Sequence, residues 1–341
     1  MADTATRVVQ LRKQPGGRGS RRGLQALQFV IKRLFSLLAT LFVASLFVFF
    51  SRFLVPGDPA RFLLRGRSPS PESIAAVTAE YGLDLPPWQQ YLNWISGAVQ
   101  GDFGKSLQYS QGVSEVLLAR LPVTLELVAM AGLFTIILGV GAGAIASLKR
   151  GRFTDRAILM AATAFGATPA FVLAIILIAI FAVSLGWFPS FGSGEPGIDR
   201  LVHLVLPALS LGLALVALVA RVTRSSMNEQ MKREHVEVAV SRGLTTRTVV
   251  WRHVFRNALS PILLVTGVLI AGLIVTSSIV EQAFGLAGIG SLLVQSVERL
   301  DFGIVQAIVL LVVAAFVTVN TIVDLVQPLL DPRIAAGSET R

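Results

Sequence analysis

Cysteine is absent from this chain, so disulfides, thiolate metal sites and cysteine nucleophiles are excluded. Charge is scarce as well. Only 15% of the 341 residues are Asp, Glu, Lys or Arg, where a soluble chain carries about a quarter. Lysine is the scarcest of these, outnumbered by arginine 5 to 25. No H-E-x-x-H or G-x-S-x-G occurs, which leaves hydrolytic chemistry without a visible metal pair or nucleophile. His203, His235 and His253 have no metal-ligand spacing. Gly104-Lys105-Ser106 looks like the end of a phosphate-binding loop, but that motif requires glycine where Val99 stands.

What the chain has in excess is apolar sequence: 53% hydrophobic residues and a mean hydropathy of +0.70. It is gathered into long runs, which a soluble core does not need. A bilayer core takes about 20 apolar residues per helix, and six stretches qualify: Leu34 to Ser51, Leu127 to Leu148, Ala157 to Gly186, Leu204 to Ala220, Pro261 to Val280 and Phe302 to Val323. Backbone polar groups in lipid are satisfied only in helices or closed barrels, and continuous runs rather than alternating ones read as helices. The expected fold is an all-α integral membrane protein with about six transmembrane helices. The third stretch contains Gly166 and Pro169 and is expected to tilt or kink. The fourth is the shortest and also admits a reading as a buried re-entrant segment.

Basic residues set the orientation. The N-terminal tail, the loop holding Lys149 to Arg156, the segment from Arg221 to Arg256 and the C-terminal tail together carry 22 of them, and the opposite side carries 8. Both termini are therefore expected in the cytoplasm. The net charge of +10 is a topology signal with some attraction to lipid headgroups, and no nucleic-acid partner is expected. The Arg- and Gly-rich tail resembles the start of a signal peptide. The following apolar run is long and lacks an A-x-A site, so it reads as an uncleaved anchor.

Two connections are longer than a simple link needs. The outer one, Phe53 to Pro122, carries Pro, Gly and two Trp. In it, Ser73 to Tyr81 and Val113 to Arg120 read as short helices able to cover a pore mouth. The inner one, Arg221 to Ser260, reads over Glu234 to Trp251 as two short amphipathic helices broken at Gly243, more a docking surface than a tether. Gly139-x-x-x-Gly143 in the second span is a helix-packing motif. Glu126, Glu281 and Asp324 are expected at interfaces where water solvates them. Asn320 is deeper, and either bonds a neighbouring helix or faces a pathway.

Glu237, Val238, Ala239, Ser241, Arg242 and Gly243 resemble the E-A-A-x-x-x-G loop of ABC importer permeases. The continuation His253, Arg256, Asn257, Ala258, Leu259 and Pro261 is similar to that of the dipeptide/oligopeptide permease family, B-type subunit. So is an ordered series through the chain: Pro56-Gly57-Asp58-Pro59, Tyr81-Gly82-Leu83, Gln90-Tyr91, Gly101 to Gly104 with Ser106, Thr124-Leu125-Glu126, Leu206-Pro207, Glu281 with Phe284 and Gly285 to Gly290, Asn320, Asp324 and Asp331-Pro332-Arg333. The likeness covers roughly residues 29 to 334. Val238 departs from the usual Ala, Ala287 from a frequent Pro, and Leu300 to Gly303 from a frequent Arg-Asp-x-Pro.

The resemblance implies the type I ABC importer permease architecture in a bacterial inner membrane. It implies no enzyme activity and no cofactor in this chain, ATP being bound by partner subunits. Those partners are a homologous second permease, two ATP-binding subunits and an extracytoplasmic solute-binding protein that delivers a peptide. Relatives in the family also carry nickel, glutathione or sugars. Glu237, Val238, Ala239, Arg242 and Gly243 are the expected ATPase-coupling residues, with Gly243 taking the positive φ that ends one helix and redirects the next. The expected organisation is a disordered basic cytoplasmic tail (1–28), a first span with an outer cap segment (29–122), a permease core with its coupling loop 221–260 (123–328) and a cytoplasmic C-terminal tail (329–341). A secondary transporter or channel should show inverted repeats and charged midplane residues. An intramembrane enzyme should show catalytic motifs. None of these is visible in the sequence.

Overall fold

A computed structural model describes residues 18–54, 70–80, 82–106 and 108–330. Pro56 to Pro59, Tyr81 and Asp331-Pro332-Arg333 lie outside the described residues. In chain order the helices are α1 (Arg18–Ser51), α2 (Pro71–Glu80), α3 (Pro87–Val99), α4 (Val113–Leu148), α5 (Phe153–Ala167), α6 (Ala170–Leu177, continued by a π-helical Ile178–Ser184), α7 (Ile198–Gln230), α8 (Glu234–Ser241), α9 (Thr246–Ala283), α10 (Ile289–Glu298) and α11 (Phe302–Leu330). No strand occurs among the described residues. Five helices, α1, α4, α7, α9 and α11, are long and apolar enough to cross a membrane, and the pair α5–α6 makes a sixth candidate.

That pair corrects the third span. It is not one kinked helix but two halves bent by 104°. The cause is Pro169. The residue before a proline is pushed out of the α region, and Thr168 duly lies at φ −89° and ψ 125°, after which Pro169 starts a new helix. The fourth span is the reverse case. α7 is one continuous helix of 33 residues, so the re-entrant alternative does not hold, and 56% of its apolar window is buried against 17% for the first span.

Helices also run on past their apolar windows. The helix that starts at Arg18 overturns the disorder expected over 18–28. Val113 to Arg120 is not a separate helix but the first two turns of α4, which continues through Pro122. Residues 221–230, expected in the inner loop, extend α7. The second amphipathic helix of that loop is the start of α9, which passes through a π-helical stretch at Val249–Phe255 into the fifth span. An apolar window marks the slab of hydrocarbon, whereas helix ends are set by caps and partners.

α4 and α7 pack along their lengths at the centre. Glycines permit it. A Cβ on Gly143 would lie 2.5 Å from the Ala220 carbonyl oxygen and 2.6 Å from Thr223 Cβ, and one on Gly139 would lie 2.7 Å from Val219 Cβ. The core around the pair holds Leu127, Ala131, Leu206, Leu211, Leu273 and Phe284. Asp155 at the start of α5 joins this frame to α7 through a bidentate pair with Arg224, both contacts 2.7 Å. Arg33 of α1 pairs with Asp324 of α11 at 2.6 Å.

Helix α3 carries no strong signal in the sequence, and the structure supplies its partners. Its Tyr91 hydroxyl bonds Ser45 Oγ of α1 at 2.8 Å, and Tyr91 and Trp94 pack on Phe49, whose ring also carries the Arg52 guanidinium 4.2 Å from its centre. The two tryptophans of the outer connection, Trp88 and Trp94, are thus on a helix fastened to the end of α1.

Candidate functional site

α8 hangs between the ends of α7 and α9. It is eight residues long, too short to be stable alone, and tertiary contact holds it. Val236 and Ala239 are buried in a cluster with Met227 of α7 and Val249, Val254, Ala258 and Ile262 of α9. His235 adds a polar tether: its Nε2 lies 3.2 Å from the His253 carbonyl oxygen and 3.3 Å from Asn257 Nδ2, and can donate to the first or accept from the second. Glu234 and Glu237 in the first turn suit the positive end of the helix dipole.

Gly243 ends α8 as expected. Its φ is +76°, a region costly to residues with a Cβ. Its N–H bonds the Val240 carbonyl at 2.9 Å and the Leu244 N–H bonds the Ala239 carbonyl at 3.3 Å, the paired pattern of a Schellman cap. The chain then reverses, and the Thr245 side chain accepts from the Thr248 N–H to start α9.

The expected coupling residues are therefore contiguous, but they do not share a face. Ala239 is turned inward, and its small side chain serves close packing on this chain's own α7 and α9. Glu237, Val238, Arg242 and Gly243 are exposed. So are Val240, Leu244 and Trp251, giving the loop an uncovered apolar surface that the motif did not reveal. Val238, which replaces the usual Ala, is 48% exposed, so its larger side chain meets no packing limit in this chain.

The opposite end of the bundle holds a second constellation. Glu281, expected in water, is completely buried. Thr124 Oγ1 donates to its Oε1 at 2.7 Å, Ser277 Oγ donates to the same oxygen at 3.3 Å, and the Ser291 N–H donates to Oε2 at 2.8 Å. Thr124 Oγ1 in turn accepts from the Ile289 N–H at 2.8 Å. One side chain thus joins α4, α9 and the first turn of α10, whose N–H groups have no partner within their own helix. Two other intramembrane polar residues behave closer to expectation: Glu126 is 38% exposed and lies 3.5 Å from Arg200, and Asp324 is 26% exposed. Asn320 bonds the Phe316 carbonyl one turn back in its own helix at 2.9 Å, not a neighbouring helix.

The turn between α9 and α10 repeats the device of α8. Gly285 has φ +60°, its N–H bonds the Gln282 carbonyl, and the Leu286 N–H bonds the Glu281 carbonyl at 2.8 Å. The α6–α7 connection is stitched to it. The Gly192 N–H donates to the Phe284 carbonyl at 2.8 Å, and the Ala287 N–H donates to Ser193 Oγ at 2.7 Å. Asp301 fixes the neighbouring loop, accepting from Ser106 Oγ at 2.6 Å and the Gln108 N–H at 3.1 Å.

Two family models match this sequence. Residues 135–336 match "Binding-protein-dependent transport system inner membrane component", and residues 26–128 match the N-terminal part of such a membrane component. Among curated relatives, the glutathione transport system permease protein GsiC of Escherichia coli strain K12 is 37% identical over 308 residues, covering 90% of this chain and 99% of the relative. GsiC of Shigella dysenteriae serotype 1 gives the same figures. A solved chain of the MetNI methionine ABC transporter is 20% identical, covers 66% of this chain and 97% of its own length, and has a TM-score of 0.49.

Proposed function

This chain belongs to the family of binding-protein-dependent transport system inner membrane components, and we propose that it is the permease subunit of an ATP-driven importer of peptides. It is a multi-pass membrane component of an ABC importer, a transport subunit whose ATP hydrolysis lies in separate subunits. The system includes a second permease, ATP-binding subunits and a solute-binding protein.

The observation that carries the mechanistic reading is α8. It is a short helix fixed to the cores of α7 and α9 on one face and bare on the other. A force applied to the bare face reaches two spans directly, because the buried face moves with them. We assign Glu237, Val238, Arg242 and Gly243 to the contact with an ATP-binding subunit, and Ala239 to seating the helix. On this reading the α8 end is cytoplasmic, as are both termini, and residues 29–122 bring an outer cap to the binding protein. Substrate exchange is then a two-state equilibrium biased by ATP on one side and loaded binding protein on the other.

The peptide assignment rests on the sequence series through the chain. The 37% identity to a glutathione permease favours one particular member of that class, since glutathione is itself a tripeptide. The test is uptake in proteoliposomes holding the full complex with its binding protein outside and ATP inside. Labelled trialanine and glutathione should each enter only with ATP. Uptake driven by an ion gradient without ATP would overturn the importer reading, and ATP-driven uptake of nickel or a sugar alone would overturn the peptide assignment.

A further inference from the structure

At the end of the bundle away from α8, a cavity of about 400 Å³ opens between α4, the end of α9, α10 and the α6–α7 connection. Arg120, Phe191, Gln282, Ser291 and Gln295 line it, with Glu281 in its wall. Arg120 is half-buried and makes no ion pair or hydrogen bond among the described residues. It forms no ion pair with Glu281, whose oxygens accept from Thr124, Ser277 and Ser291. The side chains of Gln282 and Gln295 are likewise without partners among the described residues.

A half-buried guanidinium without a counter-ion is an unmet demand for a planar anion, which it binds in bidentate fashion. Two idle carboxamides beside it can donate to and accept from an amide group. The Phe191 ring, lying against Gly285 where a Cβ would collide with it, gives one wall apolar area. We propose that this cavity binds the carboxylate of a transported solute, with Arg120 on the carboxylate and Gln282 and Gln295 on an adjoining amide. This deepens the peptide reading above and rests on it for the direction of transport. Arg120 and Ala144, the latter packed beside the α8 cluster, are 24 residues apart on α4, about 36 Å at the rise of an α-helix. The site is thus a bilayer's thickness from the coupling loop, placed to meet a solute at the far mouth.

Because the chain has no cysteine, Ala287→Cys puts its only thiol at the rim of the cavity, where Ala287 is exposed. In nanodiscs holding the full complex, that thiol is labelled with anionic sulfonatoethyl or cationic trimethylammonioethyl methanethiosulfonate. Modification of this subunit is followed by mass spectrometry, each rate being normalised to that with free cysteine. The anionic reagent should be favoured about fivefold, the scale of one unit charge acting over several ångströms in a watery cavity. Arg120→Gln should abolish the preference and Arg120→Lys should keep it, which separates loss of charge from misfolding. Trialanine should slow labelling and trialanine amide should not. Equal rates for the two reagents, or a preference that survives Arg120→Gln, would overturn the site. Slower labelling in phosphatidylglycerol than in phosphatidylcholine discs, without protection by trialanine, would assign the cavity to lipid and also overturn it. Protection by succinate but not by trialanine would leave the carboxylate site standing and remove the peptide reading instead.

Discussion

Thr124 and Glu281 are separated by 157 residues of chain and joined by a 2.7 Å hydrogen bond. Thr124 both donates to the carboxylate and accepts from the Ile289 N–H, so a single hydroxyl satisfies two buried groups. Ser277 and the Ser291 N–H complete the carboxylate's shell. No cation lies within ion-pair distance of Glu281 among the described residues. Its oxygens are held by hydrogen bonds from α4, α9 and the start of α10, an arrangement that tolerates little loss.

Thr124→Val should therefore destabilise the purified complex by about 1–3 kcal/mol, because it strands the Ile289 amide and leaves the carboxylate oxygen only the longer bond from Ser277. Glu281→Gln should cost a similar amount. The double variant should depart from the sum of the two losses, because the two residues share one hydrogen-bond network. Thermal denaturation of the four complexes measures this. Additive losses would show that the two residues act independently.

Gly143→Ala should be disruptive out of proportion to one methyl group. The new Cβ would lie 2.5 Å from the Ala220 carbonyl oxygen, backbone that moves only if α4 and α7 separate. The expected loss is on the order of 1–3 kcal/mol. Gly141→Ala, two residues away with nothing within 4 Å, is the matched control and should be silent. Equal melting temperatures for the two variants would contradict the packing described here.

Gly243→Val should uncouple the complex. Space is available at Gly243, where an added Cβ would meet nothing within 4 Å, so the penalty comes from its φ of +76° alone. It amounts to about 1–2 kcal/mol, enough to redirect the end of α8. The spans are untouched, so the subunits should still assemble, while uptake and substrate-stimulated ATP hydrolysis fall sharply. Gly243→Asn should be milder, since Asn tolerates that region better, and Glu237→Ala milder again. Assembled Gly243→Val complexes with normal uptake would show that α8 is not the coupling element.

A reporter active only outside the cytoplasm, fused after Arg341, should stay silent. The 22-to-8 distribution of basic residues motivates this expectation, and six crossings would place both termini on one side. A reporter inserted in the connection 55–69 should be active. The reverse pattern would invert the topology and with it the assignment of α8 to the ATP side.

Much of this architecture was legible from residue type alone, because lipid admits few solutions. Long apolar runs must be helices, flanking arginines orient them, and Gly139 with Gly143 announces a close helix crossing. Gly243 was readable for a similar reason: a glycine that ends a short amphipathic stretch is the residue for positive φ. What composition does not carry is which distant groups meet. Glu281 sits at the end of an apolar run, where the sequence reads it as solvated. Only the return of α10 over it, beside Thr124 of α4, buries it and supplies its donors. Ala239 reads in the sequence only as one of the ATPase-coupling residues, and its burial appears when α9 folds beneath α8. Helix periodicity and hydropathy are local, whereas burial and hydrogen-bond partnership belong to pairs of segments, and only the tertiary structure decides those.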